Sequence, residues 1–244
     1  MDIYTRGLVI LKHFPSFIGI FIPIGIFLLI LIYIRYQDKV KKKSIKKLVT
    51  ENNFNFEDIY SLLDFFGGRI DENSLGFKQV DLTNTSIGLF LKGWNRKVGY
   101  VFSVPFNNNK IFFFDYAYDE SFSWKISSTH ILSVAMFKSN NSVSPFYLRP
   151  EKFIDKIVAF AGYDDMDFEN KPVFSKKYYL KSKDEIAARN LFSDTVIEFF
   201  ENHPGYYAES NNNIIAIYKY SLLDTQNYLT FIDDVKNILT LMKV

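Results

Sequence analysis

The feature that most constrains this chain is an uncharged run of 21 residues from Phe14 to Ile34, FPSFIGIFIPIGIFLLILIYI. As an α-helix it would be roughly 31 Å long, close to the thickness of the hydrocarbon core of a bilayer. A secretory signal peptide has a shorter apolar region and a small-residue cleavage site, whereas this run ends in Tyr33-Ile34-Arg35. The run therefore predicts an uncleaved signal-anchor, a single transmembrane helix that is kinked at Pro23.

The basic residues beside this run are distributed unevenly. The N-terminal side has Arg6 and Lys12. The C-terminal side has seven basic residues, which we call the basic flank: Arg35, Lys39, Lys41, Lys42, Lys43, Lys46 and Lys47. Because basic flanks stay in the cytoplasm, the pattern predicts a single-pass cell-membrane protein with its C-terminal domain in the cytoplasm. An alternative role of the same flank is to bind anionic lipid headgroups, in addition to the bilayer itself.

The net charge of +2 hides a difference between the two ends of the chain. Residues 1–47 carry nine Lys and Arg against two acidic residues, whereas residues 48–244 carry twenty against twenty-five. A mildly acidic domain argues against nucleic acid as a partner, because nucleic-acid binding needs a clustered basic face. The absence of cysteine excludes disulfides, thiolate zinc sites and cysteine nucleophiles.

These observations predict four segments. Residues 1–13 form a short extracytoplasmic N-terminus, 14–34 the transmembrane helix, 35–53 a basic juxtamembrane stalk, and 54–244 a soluble domain. Within the domain, residues 75–145 alternate between apolar and polar with a period of two, which predicts an antiparallel meander. Helical periodicity returns after Pro145, so the predicted fold class is α+β: an antiparallel-sheet domain with packed C-terminal helices.

Particular elements follow from local patterns. The expected strands are 86–92, 97–104, 110–119, 122–138 and 174–181, with a hairpin of 206–209 and 214–220. The expected helices begin at an Asn55 N-cap, at Pro150, at Lys183 after a capping box, and at Asp224. Turns are expected at Gly93-Trp94-Asn95, at 107–109 and at 119–121. The run Ile111–Phe114 is apolar on both faces, which predicts a central strand.

The sharpest polar cluster is Asp164-Asp165-Met166-Asp167-Phe168-Glu169. Its alternating oxygen ligands, Asp165, Asp167 and Glu169, are candidates for binding Ca²⁺ or Mg²⁺. The spacing departs from a calcium-binding EF-hand loop, since Lys171 stands where that loop needs glycine. A solvated acidic loop is the alternative interpretation of the same residues.

Templates for other chemistry are missing. The three histidines, His13, His130 and His203, form no zinc motif, and the chain has neither a serine-hydrolase elbow nor a phosphate-binding glycine loop. The aromatic and acidic stretch Asp115–Asp119 is interpreted as strand-pairing tyrosines, with a peptide-binding rim as the alternative. The sequence therefore predicts no catalytic residue and no cofactor.

Several short segments resemble a family of bacterial membrane-anchored proteins that carry a domain of unknown function. In chain order the segments are 114–118 (FDYAY), 145–151 (PFYLRPE), 165–168 (DMDF) with 172–175 (PVFS), 178–180 (YYL) and 191–192 (LF). The resemblance covers roughly residues 70–220. It implies one or two transmembrane helices before an α+β domain and a bacterial origin, but no reaction and no catalytic residue.

The function that these patterns favour is a non-enzymatic one: a membrane-anchored binding or scaffold module with an unidentified protein partner. The alternative is a membrane-tethered hydrolase or metal-dependent enzyme that uses the 164–169 carboxylates. A third hypothesis is a lipid-sensing module in which the basic flank and the sheet act together.

Overall fold

The computed structural model describes residues 3–71, 78–123, 126–151, 166–168 and 170–244, and it describes the backbone alone in 3–21, 70–71, 122–123 and 126. The first element is helix α1 (Ile3–Glu51). The chain divides into two units, residues 1–47 and residues 48–244. Each unit is described by itself below.

The transmembrane prediction is not confirmed by the structure. Residues 14–21, where the predicted span begins, lie outside the residues whose side chains are described. In the part of the chain whose side chains are described, no helix combines the length and the apolar character that crossing a membrane requires.

The second unit is built on one large antiparallel sheet, to which ten strands contribute in the described residues. The strands are β1 (Asn55–Phe56), β2 (Arg69–Asp71), β3 (Lys78–Asp81), β4 (Trp94–Phe106), β5 (Asn109–Ser123), β6 (Ile126–Lys138), β7 (Phe146–Pro150), β8 (Tyr178–Ser182), β9 (Tyr207–Asn211) and β10 (Ile214–Lys219). Their order across the sheet is β2-β3-β4-β5-β6-β10-β9-β7-β8, and β1 pairs separately with β4. Two long hairpins, β4–β5 and β5–β6, form the centre.

Six further helices complete the unit in its described residues. They are α2 (Ile59–Phe66), α3 (Gly88–Leu91), α4 (Pro172–Lys177), α5 (Glu185–Leu191), α6 (Asp194–Asn202) and α7 (Thr225–Leu241). Aspartates cap three of them: Asp58 caps α2, Asp184 caps α5 and Asp224 caps α7, each by accepting a backbone N–H three residues on.

The central strand β5 has apolar side chains on both faces, as its sequence predicts. Phe112 and Phe114 pack into the core beneath α2 and α3, whereas Phe113 lies edge-to-face against Phe231 of α7. All three phenylalanines are fully buried, and each such burial stabilises the fold by about 2–3 kcal/mol. The sheet is therefore covered on both faces, and α+β with an antiparallel sheet and C-terminal helices is confirmed.

Two predictions around the first helices are wrong. Helix α2 begins after Asp58, because Asn55 and Phe56 instead pair with Ser103 and Phe102 as strand β1. The predicted strand 86–92 contains the single helical turn α3 instead, and a 3-10 turn (Thr83–Thr85) precedes it. A short apolar run such as 87–91 has no periodicity that separates a strand from a buried helix.

Three further boundaries differ from prediction. Strand β5 continues through 119–121, where a turn is predicted, because Thr129 and Ser128 of β6 remain paired with it. The predicted strand 174–181 begins as helix α4. The helix predicted from Lys183 is divided into α5 and α6 at Ser193, the N-cap of α6. The β9–β10 hairpin and the Asp224-capped helix are confirmed, and the helix predicted from Pro150 lies outside the described residues.

Candidate functional site

The predicted metal ligands lie mostly outside the described residues, since Asp165 and Glu169 are among those not described. Asp167 is exposed, and its backbone carbonyl accepts a hydrogen bond from Arg189 at 2.9 Å. In the described ranges no three acidic or histidine side chains lie close enough together to hold a metal ion. The metal site stays a prediction.

The basic flank lies on the C-terminal part of α1. Six of its seven side chains are exposed, and that of Lys41 is half-buried. An exposed basic helix can contact anionic surfaces, but the geometry alone selects no particular ligand.

A polar surface cleft lies in the second unit where β3 and β4 separate. Residue pairs join these strands at Lys78↔Val98 and Gln79↔Lys97, and no pair follows toward Asp81. On its other edge, β4 has one extra residue between Trp94 and Lys97 relative to β5, which is a β-bulge. The result is an open pocket of about 370 Å³ lined by Arg69, Gln79, Val80, Asp81, Gly93, Trp94, Asn95 and Arg96, which we call the bulged cleft.

Backbone conformation at the bulge depends on Gly93. Both Gly93 and Asn95 have positive φ, +53° and +51°. Asparagine tolerates this left-handed conformation better than most residues, and glycine adopts it freely. A Cβ atom at Gly93 would also lie 2.1 Å from the carbonyl oxygen of Asp119, which is far too close for any side chain. The bulge therefore requires glycine at this position for two independent reasons.

Arg96 and Asn95 fix the wall of the bulged cleft. The Arg96 guanidinium donates to the carbonyl oxygens of Leu91, Lys92 and Gly93 at 2.9–3.0 Å. It thereby satisfies carbonyls at the C-terminal end of α3, where cations are favoured. The Asn95 amide donates to Asp119 at 2.6 Å.

The opposite wall carries a charge pair. Arg69 and Asp81 face each other directly in the β2–β3 ladder. The pKa of the Asp81 carboxyl lies below its usual value because Thr83 donates to it from its hydroxyl and its backbone N–H, and Arg96 and Arg69 contribute further. Asp81 is therefore ionised at neutral pH.

A network of buried tyrosines and a carboxylate lies in the core beside α3. Glu209 is fully buried and accepts hydrogen bonds from the Tyr218 hydroxyl at 2.5 Å and the Leu89 backbone N–H at 3.3 Å. Burial raises the pKa of Glu209, and the Tyr218 hydroxyl partly offsets that rise. Lys92 donates to the Tyr220 hydroxyl at 2.7 Å, and that hydroxyl lies 3.1 Å from the hydroxyl of Tyr118. These bonds hold α3, and with it the residues before the bulge, against the sheet.

Tyr116 belongs to the same layer, and its ring meets Phe90 of α3 edge-to-face at 5.0 Å. Its hydroxyl is buried and has no hydrogen-bond partner in the described part of the chain. Burial raises its pKa strongly, with opposing contributions from Arg96, which lowers it, and Asp81, which raises it. Tyr116 therefore lies within electrostatic reach of both walls of the bulged cleft.

The arrangement is suited to binding. Asn95, Arg96 and Asp81 are held by hydrogen bonds, and none of the described residues that line the cleft is a serine, threonine, cysteine, lysine or histidine. The bulged cleft is not predictable from local sequence, in which Gly93-Trp94-Asn95 has the pattern of an ordinary turn. An exposed tryptophan between glycine and asparagine was the available signal.

The fold and the cleft define a class: an α+β protein that has, in its described residues, one large antiparallel sheet with helices on both faces and a polar cleft beside a β-bulge. No protein-family model and no curated protein sequence matches the chain. Among solved structures, the chain is similar to the crystal structure of the mycobacterial trehalose monomycolate transport factor A, TtfA, with a TM-score of 0.53 and 10% identity. The similarity covers 82% of this chain and 95% of the TtfA chain. At this identity the likeness concerns the fold.

Proposed function

We propose that this protein is a membrane-anchored, non-enzymatic binding module. The observation that carries the proposal lies in α1. From Ile22 to Ile34 every residue is apolar, and all but Gly25 are exposed. The surface of this part of the helix is therefore apolar on all sides. A helix that is apolar on all sides needs an apolar environment, either a large protein core or a bilayer. The stretch continues an uncharged run that starts at Phe14, and the full run has the length of a bilayer span.

The basic flank supports a particular orientation. Seven Lys and Arg residues follow the run and two precede it, so the second unit is assigned to the cytoplasm. Near an anionic leaflet each of these cations contributes roughly 1 kcal/mol of attraction, so anionic headgroups are expected lipid partners.

Two observations support a binding role for the second unit. The bulged cleft presents fixed polar groups to solvent, and the structural neighbour is named as a transport factor for trehalose monomycolate. A protein that presents or holds a cargo or a partner near a membrane needs such a site but no catalytic group. The family resemblance on residues 70–220 agrees with a membrane-anchored domain.

The anchor is tested by fractionation of cells that express the full-length chain. We expect the protein to remain in the membrane after alkaline extraction. A double substitution, Leu29→Arg and Ile30→Arg, should release it, because each charge at the centre of a span costs about 2.5–3.5 kcal/mol. Lys42→Gln with Lys43→Gln is the matched control and should leave the protein in the membrane. Extraction of the unsubstituted protein would disprove the anchor.

The orientation is tested by cysteine labelling, for which the cysteine-free chain needs no background substitutions. Ile186 is 77% exposed, so Ile186→Cys gives a reactive thiol on the second unit. We expect a membrane-impermeant maleimide to label Thr5→Cys in intact cells. Ile186→Cys should be labelled only after the cells are permeabilised. The opposite pattern would refute the orientation.

The metal-dependent alternative has its own test. Titration calorimetry of the full-length protein with Ca²⁺ and with Mg²⁺ should give no saturable heat. Micromolar binding that is lost in Asp165→Asn/Asp167→Asn would overturn the non-enzymatic proposal in favour of a metal site.

A further inference from the structure

Three side chains around the bulged cleft have unused hydrogen-bonding capacity. In the described residues, the Arg69 guanidinium and the Trp94 indole N–H make no hydrogen bond. Asp81 accepts its two bonds from Thr83 on one oxygen, Oδ1, at 2.9 and 2.7 Å, so its Oδ2 stays available. The cleft thus offers two donors and one acceptor.

The indole ring of Trp94 supplies an apolar surface beside these groups. Trp94 is 49% exposed although it lies in a strand. An indole combines a broad apolar face with one polar N–H, which suits it to a ligand that has both apolar and polar surfaces. The bulge aims this ring, since Gly93 and Asn95 on either side of it adopt positive φ.

The site is fixed before any ligand arrives. Arg96 holds three consecutive carbonyls and Asn95 is bonded to Asp119, so the backbone on both sides of Trp94 is restrained. A restrained site loses little conformational freedom on binding, which favours affinity from few contacts.

Charges of both signs line the cleft, and they bear on the class of ligand. Arg69 faces Asp81 in the β2–β3 ladder, and the Arg96 guanidinium is engaged by three backbone carbonyls. An anion such as phosphate would meet the ionised Asp81 carboxylate, whose pKa is lowered chiefly by hydrogen bonds from Thr83, and a cation would meet two guanidinium groups. A neutral ligand avoids both repulsions.

We propose that the bulged cleft is a binding site for a neutral, hydroxyl-rich ring, that is, a mono- or disaccharide or the sugar part of a glycolipid. Hydroxyl groups both donate and accept, so they match Arg69, Asp81 and the Trp94 N–H, while the apolar C–H face of the ring covers the indole. The volume of about 370 Å³ lies at the lower end of the range for small-molecule sites. This inference rests on the binding role proposed above and gives it a ligand class.

The test is saturation-transfer NMR with the full-length protein in phosphatidylcholine nanodiscs, which contain no sugar. The probes are trehalose, maltose and sucrose, with inorganic phosphate as an anionic competitor. We expect saturation transfer to the ring protons of at least one disaccharide and no displacement by phosphate. Trp94→Ala and Asp81→Asn should each weaken binding about tenfold, the effect of losing one contact to a polar ligand.

Tyr60→Ala is the matched control, because Tyr60 is exposed to a similar extent, 47%, and does not line the cleft. It should bind sugar as the unsubstituted protein does. Thermal unfolding of each variant checks that it is folded, and Trp94 is exposed enough for its removal to be tolerated. Absence of transfer to every disaccharide, equal transfer in Trp94→Ala, or displacement by phosphate would each overturn the assignment. Because incorporation into nanodiscs is scored separately, a protein that inserts but binds no sugar refutes the ligand class and leaves the anchor standing.

Discussion

Raising the pH should unfold the second unit sharply, because it buries an unusual number of tyrosines. Burial raises the pKa of at least five of them: Tyr116, Tyr178, Tyr206, Tyr218 and Tyr228. For Tyr178 the pKa rises to about 12, and for the other four it also rises well above the usual value of a tyrosine. In three of the five a carboxylate hydrogen bond adds to the effect of burial, since the neutral hydroxyl donates to Asp234, Glu209 or Asp115.

The sign and size of the effect follow from proton linkage. A group whose pKa is higher in the folded state contributes stability that is present below its unfolded pKa and lost as the pH rises above it. The unfolded tyrosines ionise from about pH 10, while the folded ones stay protonated. At about pH 11 each unfolded tyrosine gains about 1.4 kcal/mol, and five together gain about 7 kcal/mol, which is comparable to the whole stability of a typical domain, about 5–15 kcal/mol.

The measurement follows tyrosinate absorbance and far-ultraviolet circular dichroism through one pH titration of the full-length protein. We expect the buried tyrosines to ionise together with the loss of the sheet, in a cooperative step near pH 11.

Tyr116→Phe should move this step to higher pH by about 0.2–0.3 unit, because one of five linked protons is removed. It should leave stability at neutral pH unchanged or higher, since the lost hydroxyl has no partner in the described residues. Tyr60→Phe, at an exposed position, should move nothing. Gradual tyrosine ionisation centred near pH 10 with an intact sheet would refute the reasoning.

Two substitutions test other parts of the structure. Tyr228→Phe removes the hydroxyl that donates to buried Asp115 at 2.6 Å, so chemical denaturation should show a loss of about 1–3 kcal/mol, and no loss would mean that water replaces the bond. Gly93→Ala places a methyl group against the Asp119 carbonyl at a positive φ, so the same assay should show a loss of about 2–5 kcal/mol, whereas an unchanged midpoint would mean that the bulge is not fixed as described.

The sheet could be predicted from the sequence because its signals are local. Alternation of apolar and polar residues is visible along β4 and β6, and Asn107–Asn109 and Asn211–Asn213 mark two hairpin turns. The interpretation of Tyr116 and Tyr118 as sheet-pairing tyrosines is confirmed, since both are buried in paired strands. These features depend on neighbours a few residues away.

The features that were missed depend on partners far along the chain. The helical turn α3 is held by Glu209, whose carboxylate reaches Leu89 across a separation of 120 residues. No local pattern in 86–92 carries that information. The bulged cleft is similar: it lies where β4 stops pairing with β3 and shifts its register against β5, and this arrangement is a property of three strands together.

Three tyrosine–carboxylate pairs, two of them buried and the third partly buried, connect different elements of the second unit. Tyr228 joins α7 to Asp115 of β5, Tyr218 joins β10 to Glu209 of β9, and Tyr206 joins the start of β9 to Asp234 of α7. If one of these strands slipped by one residue, its tyrosine or carboxylate side chain would point to the opposite face of the sheet. The other member of the pair would then be left without its hydrogen bond, which costs about 1–3 kcal/mol when the group is buried. The pairs therefore select one register and one helix position as well as adding stability.

Since Glu209 also holds α3, and α3 leads directly into Gly93, the register of β9 and β10 fixes the geometry of the bulged cleft. A substitution in the core, such as Tyr218→Phe, is for that reason expected to alter sugar binding at a cleft that it does not line.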